Sequence, residues 1–138
     1  MRLDEFRPWH LAAMDPLGLR PVVRGTATLE YGQLVDGMGP AYTLFDGERV
    51  VACGGISMGL SLGNWIWSYI DEGAGRHMIA LHRVASRLIA ENPIRLRAAT
   101  EVGFSPGCRW LEMLGFERRG PLSDLIPGQR GSWLYERG

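Results

Sequence analysis

Lysine is missing from this chain: its 15 basic residues are all arginine, balanced by 15 acidic ones. A formal net charge of zero leaves no overall field to favour nucleic acid or an anionic membrane. No apolar run approaches the length needed to span a bilayer, and the start, MRLDEFRPWH, has no signal-peptide core. There are only two cysteines, Cys53 and Cys108, and no Cys/His cluster accompanies them. Two isolated thiols fit a reducing compartment better than a disulfide framework, so the expected location is cytoplasmic. Metal spacing is absent too, because His77 and His82 are five residues apart and do not stack on one helix face. Neither an internal repeat nor a low-complexity segment is visible.

What remains is ordinary for a globular protein. The 138 residues are 46% hydrophobic and 22% charged, enough for one domain spanning 1–138 with its own core. Leu3–Arg7 reads as a first strand. Pro8 opens a short helix, Trp9–Met14, at a position proline tolerates. A second helix is expected over Thr26–Val35, weakened by Gly32. Ala41–Phe45 and Val50–Ile56 flank Asp46-Gly47-Glu48, a hairpin signal. The glycine-rich segment GLSLGN then reads as a loop.

Asn64–Ile70, NWIWSYI, is an aromatic strand that places Trp65, Trp67 and Tyr69 on one face. Packing against a helix is the expected role of that stripe. Gly75–Ala90 carries a helical stripe from Met78 to Ile89 and ends at Asn92-Pro93. Strand Ile94–Ala98, helix Pro106–Leu114, strand Phe116–Arg119 and strand Ser132–Glu136 complete the chain. Trp110, Leu111 and Leu114 share one helical face, and Gly115 follows where a left-handed stop is cheapest. The class is α+β, a mixed α/β arrangement with a mostly antiparallel sheet.

This element order, the hairpin with Gly54-Gly55 and above all RWLEMLGFERRG resemble the GNAT (N-acetyltransferase) superfamily over nearly the whole chain. The resemblance implies a twisted sheet of six to seven strands with about four helices, splayed between its fourth and fifth strands. It further implies acetyl-CoA as cofactor, with the pyrophosphate on the loop that opens the main helix. The physical basis is the unpaired donors and positive dipole end of a helix N-terminus.

The family's loop pattern is Gln or Arg, two residues, Gly, one residue, then Gly or Ala. Gly73, Ala74 and Gly75 match its second half, and Arg76 follows. Its first position falls on Ile70, and Asp71 and Glu72 stand where phosphates approach. Backbone N–H groups at Tyr69 and Ile70 are the expected polarisers of the thioester carbonyl. The family's proton-donating tyrosine falls on Leu111, which has no donor.

Direct attack of an amine on the thioester needs a base, and Glu72 and Glu101 are the candidates by placement, with Asp71 third. The implied partners are a CoA thioester and an amine acceptor, with neither nucleic acid nor membrane. Small GNAT-like proteins of tailed phages share the length, the Gly-Gly hairpin, the Trp-bearing strand, the basic main helix and a degenerate cofactor loop. Arg109-Trp110-Leu111 and Leu114-Gly115 fit their ending. That resemblance implies an alternative: a catalytically inactive virion (internal head) or host-interaction protein, with a phage or host protein as partner. The segments Arg20–Gly39 and Ser123–Gly131 are expected on the acceptor side and carry no readable pattern.

Overall fold

A computed structural model describes residues 1–14, 29–60, 63–122 and 131–138. Positions 20–28 and 123–130 of the two acceptor-side segments, with 26–28 of the second expected helix among them, therefore lie outside the described residues. The elements follow in the order β1 (Arg2–Glu5), α1 (Pro8–Ala12), α2 (Leu29–Val35), β2 (Ala41–Asp46), β3 (Arg49–Leu60) and β4 (Gly63–Ile70). A single 3₁₀ turn, Gly75–His77, leads into α3 (Met78–Glu91). Then come β5 (Leu96–Glu101), α4 (Ser105–Met113), β6 (Glu117–Leu122) and β7 (Ser132–Arg137).

Seven strands form one sheet in the order β1-β2-β3-β4-β5-β7-β6. All neighbours are antiparallel except β4 and β5, which run parallel. This is the expected mixed architecture. The β2–β3 turn has Gly47 at φ 62 in its first central position, as a two-residue hairpin of the II′ kind requires.

Helix α4 stops as its sequence foretells. Gly115 has φ 90, its N–H donates to the Glu112 carbonyl, and the Phe116 N–H reaches back to Leu111, both at 3.0 Å. This is a Schellman stop. It returns Phe116, 3% exposed, to a core with Leu88, Leu96, Leu114 and Tyr135.

Several segments differ from expectation; α1 ends at Ala12 rather than Met14, and β6 runs on to Leu122 rather than Arg119. The first strand ends at Glu5, two residues early. The fifth strand begins at Leu96 rather than Ile94. After Pro93 the Ile94 N–H bonds the Asn92 carbonyl at 2.7 Å, so Ile94 belongs to a turn. In return β5 runs on to Glu101, paired with Ser132 of β7. The glycine segment is partly strand: β3 continues to Leu60, with an irregular register between Ser57 and Leu60.

The sheet divides its packing by face. Trp67 and Tyr69 pack with Phe6, Leu11, Val35 and Phe45 on the side of α1 and α2. Trp67 meets Phe6 edge-on at 5.3 Å between centroids. The other face lies under α3 and α4, where Leu44, Val51, Ala52, Ala74 and Leu81 form a second cluster. Among the described residues no helix is long and apolar enough to cross a membrane.

Candidate functional site

The parallel pair β4–β5 is joined only through Asn64↔Leu96 and Trp65↔Arg97. Beyond Trp65 the strands part, while β4 stays paired with β3 as far as Ile70 and β5 stays paired with β7. A wedge opens between them toward their C-terminal ends. The Asp71 N–H donates to Val51 of β3 at 2.9 Å. With a period of two, Tyr69 and Trp67 also turn their backbone groups to β3. The amides of Ile70 and Ser68 therefore face the wedge. Of the two amides expected there, that of Ile70 faces the wedge and that of Tyr69 faces β3; Ser68 is the second that faces the wedge.

The wedge widens into a cleft of about 480 Å³ between the sheet and helices α3 and α4. Its space comes from small residues on the sheet, Ala52, Gly54, Ser68 and Ala98, lying beneath Leu81 and Ala85 of α3. Its walls are mostly apolar. Of the three base candidates, two line it: Glu72 just past the end of β4, exposed, and Glu101 at the end of β5, 7% exposed, whereas Asp71 does not. Among the described residues no basic side chain lines the cleft. Trp110 and Leu111 line it from α4, with the Trp110 indole N–H bonded to His82 Nδ1 at 3.2 Å. The proton-donating phenol of the family pattern is thus replaced by hydrocarbon and an engaged indole.

The turn from Asp71 to His77 divides into two sides. Asp71 is buried and turned from the cleft, ion-paired with Arg49 at the start of β3. It also accepts the Gly73 N–H at 3.2 Å. A Cβ on Gly73 would run into the Arg49 guanidinium, so Arg49 is what Gly73 makes room for. Ala74 is buried against Leu81 and donates to the Asp71 carbonyl at 3.0 Å. Gly73 and Ala74 therefore shape the turn, and their N–H groups are already spent inside it.

Gly75 differs. It lines the cleft, and a Cβ there would meet nothing within 4 Å. The amides of Gly75 and Arg76 open the first helical turn, where N–H groups lack an intrahelical acceptor. The Arg76 side chain points away from the cleft: its Nη2 donates to Asp46 Oδ2 at 3.0 Å. His77 Nε2 lies 3.1 Å from the same oxygen. The hydrogen bond from Arg76, first, and the nearby His77 hold the Asp46 carboxyl below the usual carboxylate range.

Sequence reasoning missed Arg49 and Asp46, which lie 22 and 30 residues from their partners Asp71 and Arg76. The one signal available was their shared position flanking the Asp-Gly turn. His10, partnerless in sequence, is buried, with Nδ1 2.8 Å from the Thr43 hydroxyl and 3.0 Å from the Arg7 N–H. Thr43 also reaches Cys53 Sγ at 3.6 Å, and burial pushes that thiol up to about 12. Cys53 is thus no nucleophile at neutral pH. Tyr135 is fully buried, and its hydroxyl accepts from Arg118 at 3.0 and 3.2 Å.

A mixed seven-stranded sheet, split between a parallel fourth and fifth strand beside the main helix, is the fold of the GNAT acetyltransferases. Solved structures bear this out. The ribosomal-protein-S18-alanine N-acetyltransferase from Escherichia coli superposes with a TM-score of 0.72 at 11% identity, covering 98% of this chain and 91% of the other. An aminoglycoside 6′-N-acetyltransferase from Enterococcus faecium gives 0.69 at 14% identity, over 99% and 96%. A GNAT-family acetyltransferase from Bacillus cereus gives 0.69 at 9% identity, over 99% and 95%. No protein-family model matches the sequence, and no curated protein does.

Proposed function

We propose that the chain is an N-acyltransferase that uses acetyl-CoA to acetylate an amine. The observation that carries this reading is the wedge, where the amides of Ser68 and Ile70 open onto an apolar cleft ending at Gly75. The residues fit such a cofactor at three points. The open space at Gly75 admits a phosphate to the first-turn amides of Gly75 and Arg76. The apolar walls suit the pantetheine arm. The Ser68 and Ile70 amides are aimed where a thioester carbonyl would gain negative charge.

Bound acetyl-CoA would supply the activated acyl carbon and a thiol leaving group. Glu101, enclosed at the end of β5, takes the proton of the acceptor ammonium; Glu72 is the more exposed second candidate. The freed amine would attack the acyl carbon; as the C–N bond forms and the C–S bond breaks, the nitrogen would release its second proton to solvent. Leu111 offers no proton to a departing thiolate, so that proton would come from solvent. Gly73 and Ala74 serve by shaping the turn, and Asp71 is neutralised by Arg49.

The test is turnover of acetyl-CoA with a panel of primary amines, read as free thiol. Glu101→Gln should lower the rate about 100-fold or more with the fold intact, the usual size of a general-base effect. Equal rates for parent and Glu101→Gln would assign the base elsewhere.

A second reading has its own support. Leu111 replaces the proton donor, and among the described residues the cleft offers two carboxylates and no cation. Both favour a non-catalytic protein on the same fold, and the phage-like ending Arg109-Trp110-Leu111 makes a virion or host-interaction role the form of it we propose. Absence of acetyl-CoA binding at millimolar concentration would select it.

A further inference from the structure

The charge around the cofactor turn is spent on a neighbouring hairpin. Three basic side chains lie near the turn, and each is held away from the cleft. Arg49 is held by Asp71, while Arg76 and His77 converge on a single oxygen of Asp46 at 3.0 and 3.1 Å. Asp46 is the last residue of β2 and is paired in register with Arg49 across the tight turn. The hairpin therefore grips the turn through two reciprocal pairs, with its acid on the turn's base and its base on the turn's acid.

A diphosphate arriving at Gly75 would meet first-turn amides and the Glu72 carboxylate, but no cation. Arg76 is the group able to change this. It adjoins Gly75, and its side chain is 76% exposed, so it has room to swing. Arg49 does not have that choice, because releasing it would take its paired cation from the buried Asp71 carboxylate.

We propose that Asp46 is a positioning residue for cofactor binding, one that occupies Arg76 in the free protein and yields it to the diphosphate when CoA binds. The inference rests on the acyltransferase reading above and adds a competitor that the loop motif does not contain. It makes affinity for CoA a difference between two ion pairs. Asp46 is well suited to this part. It stays ionised across the neutral range, and it sits on a strand that binding need not move.

The experiment is a double-mutant cycle on CoA affinity, by calorimetry at low ionic strength, with the parent, Asp46→Asn, Arg76→Gln and the double variant. Asp46→Asn should tighten CoA by about two- to fivefold, the range of an exposed pair. Arg76→Gln should weaken it, and in the Arg76→Gln background the Asp46→Asn gain should disappear. Melting of the free Asp46→Asn protein should stay level or fall, so tighter binding cannot be blamed on a stiffer fold.

Weaker or unchanged binding in Asp46→Asn would overturn the proposal. So would an equal gain in the Arg76→Gln background, which would reduce Asp46 to a general repulsive charge. If the parent itself binds no CoA, the acyltransferase reading falls and takes this proposal with it. If the parent binds and the cycle is flat, the Asp46 role alone falls.

Discussion

Gly75→Glu separates the fold from the site in one substitution. Gly75 is the first residue of the turn leading into α3, its φ is not positive, and a Cβ there meets nothing within 4 Å. Replacing a helical glycine returns about 0.5–1 kcal/mol of backbone entropy, and a carboxylate in the first turn adds a few tenths through the dipole. Glu72 close by offsets part of the second gain. The free variant should therefore be between unchanged and about 1 kcal/mol more stable than the parent. For 138 residues the unfolding entropy is about 0.3 kcal/mol per kelvin, so the melting point rises by at most about 3 °C. CoA at a hundred times its Kd should raise the parent by about 2.7 kcal/mol, or about 9 °C. In the variant the new carboxylate stands where phosphate approaches, and the CoA shift should vanish. Thermal melting with and without CoA reads both quantities. A variant that still shifts by the parent's amount would show the phosphate site to be elsewhere. One destabilised by more than about 1 kcal/mol would show that the space at Gly75 is not open.

Two further predictions concern the fold. His10 titrates below its ordinary value because burial disfavours the cation. The folded protein therefore binds that proton less readily than the unfolded chain. Its contribution is complete above about pH 6.5, the unfolded value, and is lost as pH falls from there through the lower folded value. Stability from pH 7.5 to 5.5, measured by urea unfolding, should fall more steeply for the parent than for His10→Gln, and identical slopes would refute this. Gly115→Ala places a side chain at φ 90, with Arg137 Nε 3.0 Å from the new Cβ, and should cost about 1–2 kcal/mol in the same assay. A cost below a few tenths would mean the α4 stop relaxes freely.

Local chemistry was legible in the sequence wherever one short segment decides the outcome. Pro8 at the head of α1, Asp46-Gly47 at the hairpin and Leu114-Gly115-Phe116 at the end of α4 each formed the structure their residues demand. The division of faces in β4 was legible for the same reason, since alternation alone puts Trp67 and Tyr69 on one face, which in the fold packs on the α1 side. That alternation was not carried over to the backbone, where it excludes Tyr69 and selects Ser68. Strand ends were harder: Ile94 is β-branched, but the Asn92–Ile94 turn claims it. The glycines after Ser57 look like a loop, yet cross-strand pairing extends β3 to Leu60.

The charges around the site were illegible because they are settled across the sheet. Asp71 looked repulsive to phosphate, and Arg49, from another strand, neutralises it. Arg76 looked like a phosphate ligand, and Asp46 holds it elsewhere. The empty volume of the cleft was equally hidden, since it arises from small residues on three strands that meet only in the folded sheet.

Backbone amide exchange along β4, followed by NMR with and without saturating acetyl-CoA, tests the open wedge most directly. Ser68 and Ile70 should exchange quickly in the free protein and slow markedly when the cofactor binds, while Trp67 and Tyr69, bonded to β3, stay slow throughout. Ser68 and Ile70 already as slow as Tyr69 without cofactor, or unchanged at saturation, would contradict an open edge that receives the thioester.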